Sequence, residues 1–184
     1  MKPTEQLKIE HSAIKMALKF LVVIAKKLEA GENVNARHLE QMVEFIKVFS
    51  DQCHHGKEED LLFPVMESAG IPNEGGPIGM MLIEHNEGRG YVKALSAAVS
   101  RYKAGDKNAA AEIAENARRY AALLDQHIDK EDNILYLMAD DCLTQEKQNE
   151  LLAQFAKVET EKIGQGKHEE FHKLLESLEK IYLD

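Results

Sequence analysis

The segment His54–Phe63 reads HHGKEEDLLF, and the segment His127–Tyr136, which reads HIDKEDNILY, repeats its pattern. The histidine of an Ile-Glu-His tripeptide precedes each segment, by 43 residues at His11 and by 42 at His85. A histidine and a glutamate four residues apart lie on one face of a helix, so each half offers a metal one imidazole and one carboxylate. A single pair of this kind is common on solvated helices. Two copies in matching contexts predict four helices that share one site.

The composition favours long amphipathic helices in a single domain. Charged residues make up 30% of the 184 residues and aromatic residues 6%, with no tryptophan and only 4 prolines. The net charge of −9 disfavours nucleic acid or an anionic membrane as a partner. The longest apolar run, Phe20–Ala25, is far shorter than the roughly 18 residues that a membrane-spanning helix needs.

The start of the chain and its cysteine content predict a cytoplasmic protein. Residues 1–6 lack the apolar segment of a signal peptide. The two cysteines, Cys53 and Cys142, are too few for a disulfide framework, which fits a reducing compartment. Either cysteine can be a reactive thiol, but we interpret both as small buried apolar residues.

Turn residues divide the chain into six predicted helices. The glycines at 31, 105, 164 and 166 mark helix ends, Thr4 is the predicted N-cap of the first helix, and Pro77 suits a first helical turn. Pro64 lacks an amide donor and should kink or end the second helix. The predicted helices cover residues 5–30, 35–63, 77–103, 108–140, 145–163 and 167–182.

The predicted fold class is all-α. We expect residues 1–142 to form an antiparallel, up-and-down four-helix bundle, and residues 143–184 to form a C-terminal helical extension that packs on it. His11 precedes the turn at 31–35 by about 22 residues, and His54 and Glu58 follow it by about 21 to 25, which places all three about 33 Å from that turn. His85 and His127 are about equally far from the turn at 105–106. The metal-binding residues of both hairpins can therefore meet at one end of the bundle.

The residues gathered in this way suit a pair of first-row transition metal ions. Four imidazoles and two bridging carboxylates, with no thiolate, fit iron, with manganese or zinc as alternatives. Buried carboxylates without a cation would be costly. The predicted ligands are His11, His54, Glu58, His85, His127 and Glu131. Four further acids are candidates for hydrogen-bond partners of these ligands or for surface charges: Glu10, Glu59, Glu84 and Asp132.

These motifs resemble those of the hemerythrin-like, or HHE cation-binding, family of four-helix bundles. The resemblance covers residues 4 to 140, through His11, the run His54–Pro64, the pair at 84–85, and the segment from His127 to Glu131. It implies a non-heme diiron site, with Fe2+ or Fe3+ ions joined by an oxo, hydroxo or water group. It also implies that the six ligands named above hold those ions.

Two departures separate the chain from the oxygen-carrying hemerythrins. Those carriers have a second histidine on the third helix, four residues from the first, where this chain has Met81 and Arg89. They also close the fourth helix with His-x-x-x-x-Asp, whereas this chain has His-x-x-x-Glu. The pattern is closer to the bacterial diiron proteins implicated in iron–sulfur cluster repair, and it disfavours simple reversible O2 carriage.

Three other histidines are candidates for the missing ligand. His168 follows the glycine break, and a last helix folded back over the bundle would bring it to the site, so we include it among the predicted metal ligands. His172 lies one turn further along that helix. His55 is about 100° around the helix from His54 and would reach a metal only if the helix rotated. Alternatively, the last helix is an exposed amphipathic segment that docks through its apolar residues.

The functional hypothesis is a cytoplasmic diiron protein that binds, senses or turns over a small ligand: O2, NO or a peroxide. The alternatives are an iron donor in iron–sulfur cluster repair, an iron or oxygen sensor, and a structural helical module that binds partners. The segment His168–His172 also matches the HExxH motif of zinc proteases, but no third ligand and no strand to bind a peptide accompany it. The sequence assigns no enzyme class, protein partner or electron donor.

Overall fold

The computed structural model describes residues 1–183, and this part of the chain is helical with short connections. Its six helices are α1 (Pro3–Glu29), α2 (36–68), α3 (Pro77–Lys103), α4 (109–142), α5 (145–164) and α6 (Lys167–Tyr182). No strand occurs in residues 1–183, which confirms the all-α prediction. Of the helices described, none combines the length and the apolar character needed to cross a lipid bilayer.

Three helices change their winding along their length. α2 is α-helical over Ala36–Phe45 and Phe63–Ser68 and π-helical over Ile46–His55 and Glu58–Leu62. α4 is α-helical over Ala109–Lys130 and Tyr136–Cys142 and π-helical over Glu131–Leu135. α5 is α-helical over Gln145–Lys157 and π-helical over Val158–Gly164. Wide π-helical turns often accompany functional sites, and three of these four overlap the repeated motif.

Most helix ends follow the local sequence signals. The side chains of Asn35 and Thr144 accept backbone amide hydrogen bonds and so cap α2 and α5, as N-cap residues do. The prediction that Thr4 caps α1 was wrong, because Thr4 lies in the first turn. α2 continues past Pro64 to Ser68, since the proline falls in the first turn after a π-helical stretch, where its missing amide is tolerated.

Contacts between neighbouring helices run in opposite residue order. Between α1 and α4, His11 contacts Asp132 and Glu29 contacts Arg118. The same reversal relates α2 to α3 and α3 to α4, through the pairs Glu40–Lys103, Asp51–Arg89, Glu84–Lys130 and Arg101–Glu112. These contacts support the antiparallel four-helix bundle, which stays a prediction.

Two apolar clusters lie on either side of a polar layer. The main cluster fills most of the length of the helices, and the smaller cluster occupies the end near the start of α1. On α2 the polar residues of the repeated motif fall between Phe49 of the main cluster and Leu62 of the smaller one. On α4 they fall between Leu124 of the main cluster and Leu135 of the smaller one. The polar layer is therefore shielded from water by apolar packing at both ends.

The C-terminal helices α5 and α6 contribute side chains to both clusters. Leu151 and Phe155 of α5 belong to the smaller cluster, and Phe171, Leu175 and Leu178 of α6 belong to the main cluster. Burial of each such side chain contributes roughly 1.5–3 kcal/mol, so these five fix the extension on the surface of the longer helices. The division of the chain after residue 142 stays a prediction.

Candidate metal centre

Seven buried histidine and glutamate side chains meet in the polar layer. They form two groups, and within each group the candidate ligand atoms lie within 4.8 Å of one another. The first group is His11, His54, Glu58 and Glu131, and the second is His55, Glu58, His85 and His127. Glu58 belongs to both. The structure thus brings together the six residues singled out on the first four helices and adds His55.

Each of the five histidines has a carboxylate of its own beside Nδ1. The Nδ1···O distances are 2.8 Å for His11–Asp132, 2.9 Å for His54–Glu10, 3.4 Å for His55–Asp51, 2.7 Å for His85–Glu59 and 2.8 Å for His127–Glu84. In this arrangement Nδ1–H donates to the carboxylate, and Nε2 keeps a lone pair for a cation. Carboxylate partners of this kind fix the tautomer and the orientation of metal-binding histidines.

The repeat in the sequence encodes this network twice. Within each half, the glutamate of Ile-Glu-His pairs with the histidine of the long motif. Between the halves, the acid that follows the motif glutamate pairs with the Ile-Glu-His histidine of the other half. These pairs are Asp132 with His11 and Glu59 with His85. A lysine of each motif, Lys57 or Lys130, donates to the Ile-Glu-His glutamate of its own half, Glu10 or Glu84. The four acids considered as candidate partners all contact a histidine.

Several buried atoms in the layer have no hydrogen-bond partner. Both carboxylate oxygens of Glu131 lack a hydrogen bond, although Nε2 of His11 and Nε2 of His127 lie 3.1 and 3.2 Å from them. Oε2 of Glu58 and Nε2 of His55 are likewise unpaired. Unpaired buried polar atoms are rare in folded proteins, and cations bound in the two groups would satisfy all of these.

The contact between His85 and His127 also calls for a cation. Their Nε2 atoms lie 3.0 Å apart, while Nδ1 of each ring faces a carboxylate. If both imidazoles are neutral and carry their protons on Nδ1, the two Nε2 lone pairs point at each other and repel. A proton or a metal ion between the two Nε2 atoms would remove this repulsion. The nitrogen and carboxylate donors therefore fit metal ions, and their type suits iron, manganese or zinc.

The pKa values of the two central glutamates shift in opposite directions when no metal is bound. Burial, together with the charge of Glu131, raises the pKa of Glu58 well above its usual value. Burial also tends to raise the pKa of Glu131, but His127 and His11 outweigh burial and lower that pKa well below its usual value. A metal ion bound here would favour the deprotonated form of Glu58.

The two halves of the site differ at one aromatic position. The Tyr136 hydroxyl donates a 2.6 Å hydrogen bond to Oε1 of Glu58, and its ring stacks on His11. Burial and the neighbouring carboxylates raise the pKa of Tyr136 well above its usual value, so this hydroxyl keeps its proton. The counterpart in the other half is Phe63, which stacks near His85 without a polar group.

His55 belongs to this layer, although on a regular α-helix it would lie about 100° around the axis from His54 and face another direction. It lies at the end of the π-helical stretch Ile46–His55, stacks on His85 with ring centroids 3.9 Å apart, and has Ile128 as its repeat counterpart. Burial lowers the pKa of His55 to about 4, so the ring is neutral near pH 7. The sequence signal that could have identified it is Asp51, four residues earlier and able to orient the ring.

The structure does not bring His168 to the polar layer. Its Nε2 atom lies 3.2 Å from Sγ of Cys53, and the two residues form a separate group with Glu159. His172 is exposed and belongs to no metal-binding group among residues 1–183. The place expected for His168 is taken by His55, and the HExxH segment gathers no third ligand around its two histidines.

A cavity of about 370 Å³ opens between α2 and α3 and reaches His55 and His85. Its wall includes Val92 and Tyr120. Arg89 lines the same cavity and bridges two of the carboxylates that orient the histidines, those of Asp51 and Glu59. The volume falls at the lower end of the range of small-molecule pockets.

Comparison with known proteins agrees with the geometry in indicating a cation-binding domain. The family model described as the hemerythrin HHE cation binding domain matches residues 2–139. Uncharacterized proteins of Mycobacterium bovis and Mycobacterium tuberculosis are 23% identical over 162 residues, which are 88% of this chain but 63% of the relatives. The chain thus spans less than two thirds of the length of these relatives. No solved structure matches it with significance. By the family match, the chain belongs to the hemerythrin HHE cation-binding family.

Proposed function

We propose that this protein binds two iron ions in its polar layer and uses them to bind, sense or turn over a small ligand: O2, NO or a peroxide. One observation carries the proposal. Five buried histidines, each oriented by its own carboxylate, converge with two glutamates, and three of the four oxygens of these glutamates lack a hydrogen-bond partner. Family membership supports a cation at this place, and the donor types favour iron, with manganese and zinc as alternatives.

In this proposal the two ions have unequal sets of ligands. One ion takes His11 and His54, and the other takes three imidazoles, those of His55, His85 and His127. Glu58 belongs to both groups, and Oε1 of Glu131 lies 3.2 Å from Nε2 of His127, so both glutamates would serve both ions. Bound iron would supply ligand binding and one-electron redox chemistry. The protein itself orients the imidazoles and keeps bulk water out with its two apolar clusters, and the Tyr136 hydroxyl fixes the Glu58 carboxylate.

We propose that residues 1–142 form an antiparallel four-helix bundle that holds this site. We also propose that the protein is located in a reducing cytoplasm. The reversed order of the contacts between helices supports the bundle. The location is supported by two free cysteines, Cys53 and Cys142, which form no disulfide. Nothing in the site names an electron donor or a protein partner.

Metal content is the direct test. Purified protein should hold two irons per chain, and Glu58→Ala and Glu131→Ala should each lower that content, because each removes a carboxylate from the centre of the site. Glu146→Ala, an exposed change on α5, is the matched control and should retain both irons. Unchanged iron content in both centre variants would overturn the assignment, and a protein with no metal would be a structural helical module.

We further propose that small ligands enter through the cavity between α2 and α3. Val92 is buried and lines this cavity, so Val92→Phe should fill part of the 370 Å³ and slow the association of NO with the iron-loaded protein. Val92→Ala, which widens the cavity, should not slow it. If both variants bind NO at the wild-type rate with unchanged iron content, ligands use another route.

A second candidate, a sensor of iron or oxygen, is favoured by one chain of contacts. Glu159 of α5 accepts a hydrogen bond from Lys57, Lys57 donates also to Glu10, and Glu10 accepts from His54. A change of metal state at His54 can therefore reach the C-terminal helices. Hydrogen exchange in α5 and α6 should slow on iron binding in the wild type and respond less in Glu159→Gln. Equal hydrogen exchange in α5 and α6 with and without iron would exclude the sensor. In a separate experiment, transfer of iron to an apo iron–sulfur protein would favour an iron donor.

A further inference from the structure

A second set of metal-binding side chains lies outside the polar layer, where α2 meets the C-terminal helices. Cys53 of α2, Glu159 of α5 and His168 of α6 present ligand atoms that all lie within 4.8 Å of one another. Sγ of Cys53 and Nε2 of His168 are 3.2 Å apart. Three separate helices thus converge on one point with three different donor types.

The surroundings of these side chains form a built site. Cys53 is buried and His168 is half-buried. The imidazole of His168 packs on the ring of Phe49, with centroids 4.9 Å apart, which restricts its orientation. The Glu159 side chain is 31% exposed, so water can reach the group from that side. A bound ion would keep one coordination position for solvent.

We propose that Cys53, Glu159 and His168 form a third, mononuclear metal site, separate from the dinuclear site and selective for Zn2+ or another thiolate-binding ion. Tetrahedral zinc with a sulfur at about 2.3 Å and a nitrogen at about 2.0–2.1 Å holds the two ligand atoms roughly 3.5 Å apart. The observed 3.2 Å needs only a small adjustment. The dinuclear site has no sulfur ligand, so the thiolate separates the metal preferences of the two sites.

The charges around the group are compatible with a divalent cation. Lys57 donates to Oε1 of Glu159 and to Oε1 of Glu10, at 2.5 Å in each case, and Gln6 donates to the same Oε1 of Glu159. Both of these bonds to Glu159 end on Oε1, so neither occupies Oε2. Glu10 balances the Lys57 ammonium, and the thiolate with Glu159 balances the ion.

Metal binding at this group must release a proton. A cysteine thiol keeps its proton near pH 7, so the metal-free group holds a neutral thiol. When the ion binds, sulfur forms the bond to the metal and its proton passes to solvent, with no change in oxidation state. Loading of this site should therefore weaken as the pH falls.

Cobalt substitution tests the proposal, because a thiolate bound to Co2+ gives a near-ultraviolet charge-transfer band that imidazoles and carboxylates do not give. Full-length protein loaded with Co2+ should show this band, and Cys53→Ser should abolish it. Cys142→Ser is the matched control, since Cys142 lies in none of the metal-binding groups of residues 1–183. It should keep the band.

Variants on other helices keep the test independent of effects on the neighbouring His54. His168→Gln and Glu159→Gln should each weaken Zn2+ binding to one site per chain by at least about tenfold, while the iron content of the dinuclear site stays the same. Absence of the thiolate band in wild-type protein would overturn the proposal. A band that survives His168→Gln with unchanged zinc affinity would do the same. Either result leaves the proposed diiron function standing.

Discussion

Lys57 and Lys130 occupy the same position of the repeated motif, yet they should differ strongly in their contribution to stability. Each donates to the glutamate of the Ile-Glu-His tripeptide in its own half, Glu10 or Glu84. The Lys57 side chain is 0% exposed because α5 covers it, whereas that of Lys130 is 37% exposed. Replacement of each lysine by methionine keeps an unbranched side chain, shorter by one heavy atom, and removes the charge.

The expected magnitudes follow from burial. Lys57→Met leaves Glu10, whose side chain is 5% exposed, with His54 as its remaining partner, and also removes a bond to Glu159. Loss of one partner from a buried ion pair costs roughly 3–5 kcal/mol, and the surviving contact with His54 favours the lower end, about 3 kcal/mol. Lys130→Met removes a partly solvated pair and should cost at most about 1 kcal/mol.

Urea unfolding of chelator-treated protein measures both losses without a contribution from metal. In thermal unfolding of the same metal-free protein, the melting temperature of a domain of this size should fall by about 6–12 °C in Lys57→Met. It should fall by at most about 4 °C in Lys130→Met. A double-mutant cycle with Glu159→Gln should give a coupling energy of about 1–3 kcal/mol for Lys57. Equal losses in the two lysine variants would refute the argument that coverage by α5 sets the strength of the pair.

Three further changes test other parts of the structure. The pKa of His55 falls from 6.5 to about 4 on folding, so below pH 6.5 the unfolded chain binds more protons than the folded chain and stability decreases. Between pH 7 and pH 5, metal-free His55→Gln should therefore lose about 2 kcal/mol less unfolding free energy than wild type in urea titrations. An identical pH slope in the two proteins would contradict this. Tyr136→Phe should lower the unfolding free energy by about 1–3 kcal/mol, because the buried carboxylate of Glu58 loses a donor; no change would mean that Glu58 finds another partner. Gly90→Ala should raise the melting temperature, since a Cβ there meets open space in the middle of α3 and alanine favours the helix by about 1 kcal/mol.

The sequence contained enough information to predict which residues of the first four helices meet. Helical rise and turn position place His11 level with His54, and the structure brings both into one group of candidate ligands. These arguments use only quantities that are nearly constant among helices. The same arithmetic pairs His85 with His127, whose Nε2 atoms are 3.0 Å apart.

The position of His55 could not be predicted in this way. A regular helix turns about 100° per residue, which directs two consecutive histidines to different faces. The π-helical winding that ends at His55 changes this relation. His168 lies outside the polar layer for a different reason: the glycine break allows α6 many orientations, and Phe171 of α6 packs in the main apolar cluster.

The wide turns of α2 make the site sensitive to the number of residues as well as to their identity. Deletion of a single residue within Ile46–His55 would restore tighter winding and carry the imidazole at 55 away from its partner on α3. An insertion before His54 would rotate His54 and Glu58 together in the opposite sense. Evolution of this segment should therefore tolerate substitutions on its solvent face far better than changes of length.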